Sequence, residues 1–244
     1  MRVDGDWRRR AATQAVCAAL AGGGHRALFV GGAVRNAILG LPVVDVDIAT
    51  DAPPGAVIAL VTAAGLRAVP TGLAHGTVTV VAEGLPHEVT TFRRDVRTDG
   101  RHAVVAFTDD LAADAARRDF TMNALYATPG GEVIDPLGAL PDLTARRVRF
   151  VGDPAARIAE DHLRILRFFR FHARYGDPGA GMAGRWRPAR PGPRESTRFR
   201  ANGWGPRCES CCRRPIPRPR LSPWPRAASW RACCPAPIRE RWPR

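Results

Sequence analysis

Leu28-Phe-Val-Gly-Gly-Ala-Val-Arg-Asn-Ala-Ile-Leu-Gly-Leu-Pro-Val-Val-Asp-Val-Asp-Ile-Ala-Thr50 carries most of what this chain discloses. A short apolar run ends in Gly31 and Gly32, and a helix-forming segment follows. Ten residues after Arg35 comes Asp45, then Asp47, in a run of β-branched residues. On a strand, the i, i+2 spacing turns both carboxylates to one face. Glycine lets backbone N–H groups approach phosphate oxygens, and a helix start adds partial positive charge. Arg35, one turn in, can pair with the same oxygens. Two carboxylates beside such a turn suit metal-dependent attack on a nucleoside triphosphate. Taken singly, Gly-Gly is an ordinary tight strand–helix turn, and acid-x-acid is an ordinary turn cap or solvated strand end. Their adjacency favours the chemical reading.

Asp45 and Asp47 are hard oxygen ligands, suited to Mg²⁺ and acceptable to Mn²⁺. Glu88, on a neighbouring strand, is the candidate for a third carboxylate, although an exposed strand residue reads almost as well. Arg117-Arg118-Asp119-Phe120-Thr121-Met122-Asn123-Ala124 gathers two cations, an acid and an amide. Arg118 would bind phosphate, with Asp119 or Asn123 on a ribose hydroxyl; a salt-bridged helix cap is the plain alternative. In Glu160-Asp161-His162-Leu163-Arg164-Ile165-Leu166-Arg167-Phe168-Phe169-Arg170, Asp161, Arg164, Arg167 and Arg170 recur every third residue along one flank of a helix. Leu163, Leu166 and Phe169 are expected to form its buried face. Asp161 accepts hydrogen bonds and Arg164 donates them. Together they match the base edges of cytosine and adenine, which place an exocyclic amine beside a ring-nitrogen acceptor. Uracil and guanine present the reverse pattern.

Around these motifs the chain predicts a helix over 8–20, ended by Gly22-Gly23-Gly24, and a strand over 27–30. A helix over 33–39 and a strand over 45–49 follow, then a helix from Pro53-Pro54 to about Ala64. Strands are expected over 77–82 and 87–92, joined by a hairpin at residues 83–86. Residues 93–108 show no clear period and read as a mobile loop beside the site. Residues 108–116 begin a helical region and 121–125 form a short helix. A strand or edge piece is expected at 132–134, a turn at 142–147, and one long amphipathic helix over 154–175.

The 244 residues carry a net charge of +14, and its location matters more than its size. Residues 176–244 hold 16 of the arginines and only 4 acids, together with 13 of the 22 prolines and 5 of the 6 cysteines. No periodicity there supplies an apolar face, so an unstructured tail is expected. The shift into this Arg/Pro/Cys/Trp mixture is abrupt and resembles out-of-frame translation of GC-rich coding DNA. A natural basic arm on RNA phosphates is the alternative. A zinc site from Cys208, Cys211, Cys212, Cys233 and Cys234 lacks an ordered scaffold. No apolar run is long enough to span a bilayer. Arg8–Arg10 before the apolar residues 11–20 imitate a signal peptide, but Thr13 and Gln14 interrupt that run. A cytoplasmic protein is therefore expected.

Gly-Gly-Ala-Val-Arg35, Asp45-Val-Asp47, Arg117-Arg118-Asp119 and Glu160-Asp161-x-x-Arg164, in this order, resemble the class II (bacterial-type) tRNA nucleotidyltransferase and poly(A) polymerase family over residues 25–175. The resemblance implies an α+β, polymerase-β-like nucleotidyltransferase head with a mixed five-stranded sheet at 1–150. The start of a helical neck follows at 151–175. It implies template-independent addition of CCA, or part of it, to tRNA 3′ ends from CTP and ATP. It further implies catalytic metals on Asp45 and Asp47, triphosphate and ribose on Gly32, Arg35 and Arg118, and an amino-acid template in Asp161 and Arg164. Arg167 and Arg170 would support the nucleotide. Two departures stand out. The family's Gly-Gly-x-Val-Arg-Asp ends here in Asn36, which keeps the shape of Asp without its charge. The helical body expected after Tyr175 is replaced by the odd tail. Poly(A) polymerase is the nearest rival, but residues 67–80 lack the strongly basic stretch associated with it. An inactive RNA-binding fragment is the rival of another class.

Overall fold

The computed structural model describes residues 1–99 and 102–177, the side chains of 97–99 and 102–104 excepted. The reading of residues 176–244 as an unstructured tail or a frameshift product therefore lies, from residue 178 onward, outside the described residues.

Seven strands form one sheet. They are β1 (Ala27–Val30), β2 (Asp47–Thr50), β3 (Arg67–Gly72), β4 (Thr77–Ala82), β5 (Leu85–Thr91), β8 (Tyr126–Ala127) and β9 (Val133–Ile134). Their order is β3-β4-β5-β2-β1-β8-β9. β2 and β5 run parallel while the other strand pairs of this sheet among the described residues run antiparallel, so the sheet is mixed. The five strands expected from sequence correspond to β1, β2, β4, β5 and β9; β3 and the two-residue β8 were not expected, so the sheet has seven strands rather than five. β3 escapes sequence reading because Pro70, Thr71 and Gly72 mask any period. The β4–β5 turn is tighter than expected. Glu83 and Gly84 both adopt positive φ, at 49° and 78°, and Leu85 and Pro86 already pair with β4.

Residues 93–99 and 102–107 are not a loop. β6 (Arg93–Asp99) and β7 (His102–Phe107) pair antiparallel as a separate hairpin, with a register shift between Asp95 and Arg97. A ribbon standing off the sheet needs no continuous apolar face, so it leaves no alternation in the sequence.

α2 (Ala11–Gly22) and α4 (Pro54–Ala63) cover one face of the sheet. Val16, Leu20, Val57 and Val61 pack there with Phe29, Ile48, Val80 and Val89. The first expected helix is broken, because Arg10 at φ −54°, ψ 134° separates α1 (Asp6–Arg9) from α2. A smaller cluster on the opposite face joins Leu28, Val30 and Ala49 to Tyr126 and Ala115, the last from α5 (Leu111–Ala116). α3 (Gly32–Ile38) follows β1, and α6 (Leu140–Thr144) stands where a turn was expected. Among the described residues no helix is long and apolar enough to cross a membrane.

The long helix expected over 154–175 is two helices, α7 (Pro154–Glu160) and α8 (Leu163–Tyr175). Asp161 is extended, at φ −152°, ψ 108°, and its Oδ1 accepts the Leu163 N–H at 3.0 Å. A short acid that binds a nearby backbone N–H competes with helix continuation. The break reorients the face that follows it. Phe171 and Tyr175 are buried, while Leu163, Leu166 and Phe169, expected inside, are 39%, 67% and 39% exposed. The docked side is aromatic: Phe120 lies 4.9 Å from Phe150 and 5.0 Å from Phe171, ring centre to ring centre. Truncating fully buried Phe120 to alanine is expected to cost about 3–5 kcal/mol in urea denaturation. A loss below about 1 kcal/mol would show that α8 is not held by this cluster.

Candidate active site

β2 and β5 pair with Asp47 opposite Glu88, and β4 places Thr79 opposite Glu88. The three side chains therefore form a row across one face of the sheet. Asp45 lies before β2 rather than in it, on the exposed stretch that leads into the strand. The two aspartates are neighbours, but their shared facing is set by this loop, not by strand alternation. No hydrogen bond or ion pair from the described residues reaches the carboxylates of Asp45, Asp47 or Glu88. Burial raises the pKa of Asp47; Glu88 and Asp45 push in the same direction, and Arg118 opposes them.

This uncompensated acid suits a divalent cation. The donors are all hard oxygens, as Mg²⁺ or Mn²⁺ prefers. Among the described residues no three His, Cys, Asp or Glu side chains converge to hold a metal by themselves. One or two carboxylates completed by water and substrate phosphates is the arrangement Mg²⁺ takes readily.

Asp47 also borders a cleft of about 500 Å³ lined by Gly31, Gly32, Arg35, Arg117, Arg118, Asp119, Asn123, Asp161, Arg164, Arg167 and Phe171. Gly31 turns the chain here at φ 64°, ψ −114°, a conformation that favours glycine. An added Cβ would lie 3.6 Å from Arg118 Nη1, so the turn and that guanidinium are neighbours. Of the residues expected to hold nucleotide, Gly32, Arg35, Arg118, Asp161, Arg164 and Arg167 meet in this cleft. Arg170 does not; it is exposed, with its guanidinium 6.0 Å from the Phe171 ring. Each three-residue step along α8 turns back by about 60°, so Arg170 sits about 120° around the helix from Arg164 and off the cleft.

Arg35 is more constrained than a phosphate-seeking side chain needs to be. It is 7% exposed and donates to Asn36 Oδ1 from Nε and Nη2, at 3.1 and 3.0 Å. Nη2 also donates to Tyr175 Oη at 2.7 Å, and Nη1 donates to Asn123 Oδ1. None of these acceptors is a carboxylate. Burial lowers the Arg35 pKa, with Tyr175 and Asp119 opposing. Asn36 thus accepts twice through one oxygen while leaving a buried cation without a bonded acid, which favours an anion in the cleft. Asn123 Nδ2 donates to Asp119 Oδ1 at 2.9 Å, and Asp119 Oδ2 accepts from Arg167 Nε at 2.8 Å. The chain Tyr175–Arg35–Asn123–Asp119–Arg167 ties α3 to the middle and the C-terminal end of α8.

Arg118 is anchored from below. Its Nη2 donates to Asp114 Oδ2 and its Nε to Tyr126 Oη, both at 3.0 Å. Burial alone would lower its pKa, but Tyr126 and Asp114 outweigh it and the net shift is upward. Arg164 donates to the carboxylate of Glu160, which also accepts from Arg157 Nη1 at 3.0 Å. Sequence reading assigned Glu160 no task. Its signal was its place four residues before Arg164, a favoured helical ion-pair spacing. Tyr175 and Phe171 were likewise missed and were marked only by their aromatic character.

A family model described as the poly A polymerase head domain matches residues 27–149. The CCA-adding enzyme of Anoxybacillus flavithermus is 48% identical over 155 residues, covering 63% of this chain and 38% of that enzyme. The chain therefore spans about two fifths of the length of the curated relatives it matches. Among solved structures, the Bacillus stearothermophilus CCA-adding enzyme in complex with CTP aligns at 40% identity and a TM-score of 0.59. That alignment covers 67% of this chain and 39% of the other. A tRNA nucleotidyltransferase complexed with a primer tRNA and an incoming ATP analogue aligns at 31% identity and a TM-score of 0.54, covering 65% and 44%. The matched region contains the glycine turn, both aspartates and Arg118, and spans half of this sequence; the chain belongs to the poly A polymerase head-domain family.

Proposed function

We propose that this chain is the head, with the beginning of the neck, of a template-independent tRNA nucleotidyltransferase that adds CMP and AMP to tRNA 3′ ends. The observation that carries this reading is Asp47. It borders unneutralised carboxylates on one side and an arginine-rich cleft ending at Asp161 and Arg164 on the other. The matched CCA-adding enzymes support the same substrates.

Gly32, Arg35 and Arg118 hold the triphosphate. The tRNA 3′-hydroxyl gives up its proton to water, its oxygen forms a bond to the α-phosphorus, the bond to the oxygen bridging to the β-phosphate breaks, and pyrophosphate leaves. Asp45 and Asp47 would hold Mg²⁺ or Mn²⁺, which would lower the pKa of the attacking hydroxyl and offset charge on the leaving group. Glu88 adds negative charge beside Asp47. Asp161 accepts from the exocyclic amine of cytosine or adenine, and Arg164 donates to the adjacent ring nitrogen. Glu160 fixes the Arg164 guanidinium, and Asp119 fixes Arg167.

Equilibrium binding of the four triphosphates, to wild type and to Asp161→Ala, tests this assignment. CTP and ATP are expected to bind, with UTP and GTP at least about tenfold weaker, since a bidentate base contact is worth about 1–3 kcal/mol. Asp161→Ala is expected to bring CTP and UTP to near equality while affinity for inorganic triphosphate stays unchanged. Equal binding of UTP and CTP by wild type would reduce this segment to a salt-bridged structural element.

A further inference from the structure

A second opening lies beside α3 and the C-terminal end of α8. This cavity, of about 320 Å³, shares Gly32, Arg35 and Asp47 with the arginine cleft and adds Asn36, Asp45, Arg174 and Tyr175. Sequence reading assigned Arg174 and Tyr175 no task. They end α8, the helix that also carries Arg164 and Arg167.

Tyr175 is 6% exposed. Its Oη accepts from Arg35 Nη2 at 2.7 Å, and its own proton has no acceptor among the described residues. A phenol is both donor and acceptor, and a buried donor left without a partner is costly. Accepting from a guanidinium polarises the O–H and strengthens it as a donor. The Arg35 guanidinium also lies 4.1 Å from the centre of the Tyr175 ring. With Asn36 and Asn123 as the other acceptors, four of the five Arg35 N–H groups are used. One Nη1 N–H is left for a ligand, and the phenol O–H beside this guanidinium is a second donor. Arg174 is exposed at the same opening, its guanidinium 5.4 Å from the Tyr175 ring centre. It makes no hydrogen bond or ion pair with the described residues. The cavity thus sets two guanidiniums and a donor hydroxyl opposite Asp45 and Asp47. A nucleobase offers no charge to either set. A polyphosphate that carries a divalent cation satisfies both.

We propose that Tyr175 is a further triphosphate-binding residue, its O–H donating to an oxygen of the two terminal phosphates, the pair that leaves as pyrophosphate. It also fixes the direction of the remaining Arg35 N–H, and Arg174 adds positive charge at the rim. The assignment rests on the nucleotidyltransferase reading for the identity of the ligand. It deepens that reading by giving the end of α8 a task distinct from base choice at Asp161 and Arg164.

The test uses the full 244-residue chain, with Mg²⁺ present throughout. CTP, UTP, CMP and inorganic pyrophosphate are titrated against wild type and Tyr175→Phe, which keeps the ring over Arg35 and removes only the hydroxyl. The variant is expected to bind pyrophosphate and CTP about tenfold more weakly, as loss of one hydrogen bond to a charged group does. CMP affinity, and the ratio of CTP to UTP affinity, are expected to stay unchanged. A second readout does not depend on how that variant folds. The chain has two tyrosines, so ¹³Cζ-tyrosine labelling gives two signals, and the one that survives in Tyr126→Phe belongs to Tyr175. In wild type this signal is expected to move with pyrophosphate and with CTP and to stay in place with CMP. Equal pyrophosphate affinity in wild type and Tyr175→Phe overturns the proposal. So does an equal loss for CMP and CTP, a Tyr175 signal that pyrophosphate leaves in place, or a wild type that binds no pyrophosphate. The expected pyrophosphate results with CTP and UTP bound equally by wild type overturn the nucleotidyltransferase reading instead and leave a polyphosphate site.

Discussion

Asp47→Asn is expected to reduce CMP incorporation about a thousandfold while making the metal-free protein more stable at neutral pH. The loss follows from removing the carboxylate that borders both openings, where charge develops as the phosphoryl group transfers. The gain follows from the direction of the Asp47 shift. Burial, then Glu88 and Asp45, raise its folded-state pKa above the unfolded value. A group shifted upward contributes stability below the unfolded pKa, and that contribution is lost as pH rises through the folded pKa. At pH 7 the ionised side chain therefore opposes folding, and a neutral amide relieves it. Mg²⁺ is expected to raise the wild-type melting temperature by mass action and to leave Asp47→Asn nearly unmoved. Thermal melts with and without Mg²⁺ check both parts. An asparagine variant that melts lower than wild type without metal would contradict the electrostatic account of this site.

The second large effect is expected at Asp114, far less conspicuous in sequence. It is 2% exposed and accepts from Arg118 Nη2 at 3.0 Å, from Tyr126 Oη at 2.7 Å and from the Arg93 N–H at 3.2 Å. Asp114→Ala leaves a largely enclosed guanidinium and a buried phenol short of their acceptor. Breaking a buried pair from one side costs about 3–5 kcal/mol, or roughly 10 °C in melting temperature for a domain of this size. Arg118 loses its anchor at the same time, so triphosphate affinity is expected to fall as well. Asp114→Asn, which keeps one acceptor oxygen, is expected to recover part of both. A melting temperature within about 2 °C of wild type for Asp114→Ala would show that Arg118 is held in some other way.

Legibility followed the kind of signal each segment carried. β1, α3, α4 and β4 were readable because apolar runs, proline at a helix start and two-residue alternation are local properties. The β6–β7 hairpin was not, because both its faces lie outside the main sheet and nothing forces alternation on it. The α7–α8 break was hidden inside a sequence with good helical periodicity. It turns on one side chain, Asp161, capturing the Leu163 N–H, and that competition is settled only when Phe168, Phe171 and Tyr175 find their aromatic partners. The same event explains why Leu163, Leu166 and Phe169 were assigned to the wrong side.

In the candidate site, residue types and their order were readable, but bonding partners were not. Gly32, Arg35, Arg118, Asp161, Arg164 and Arg167 do share one cleft with Asp47. That Arg35 bonds Asn36, Asn123 and Tyr175 rather than pointing free could not be read, since the last two lie 88 and 140 residues away. Glu160 was adjacent to the motif yet received no role, because its value lies in what it does to Arg164.

The most direct measurement is of product. The 244-residue chain is incubated with a tRNA transcript ending at the discriminator nucleotide, with CTP, ATP and Mg²⁺, and the 3′ ends are sequenced. Addition of C, C and A, stopping there and abolished by Asp47→Asn, is the predicted result. Unextended transcript from a chain that binds CTP, or a run of adenylates, would contradict it.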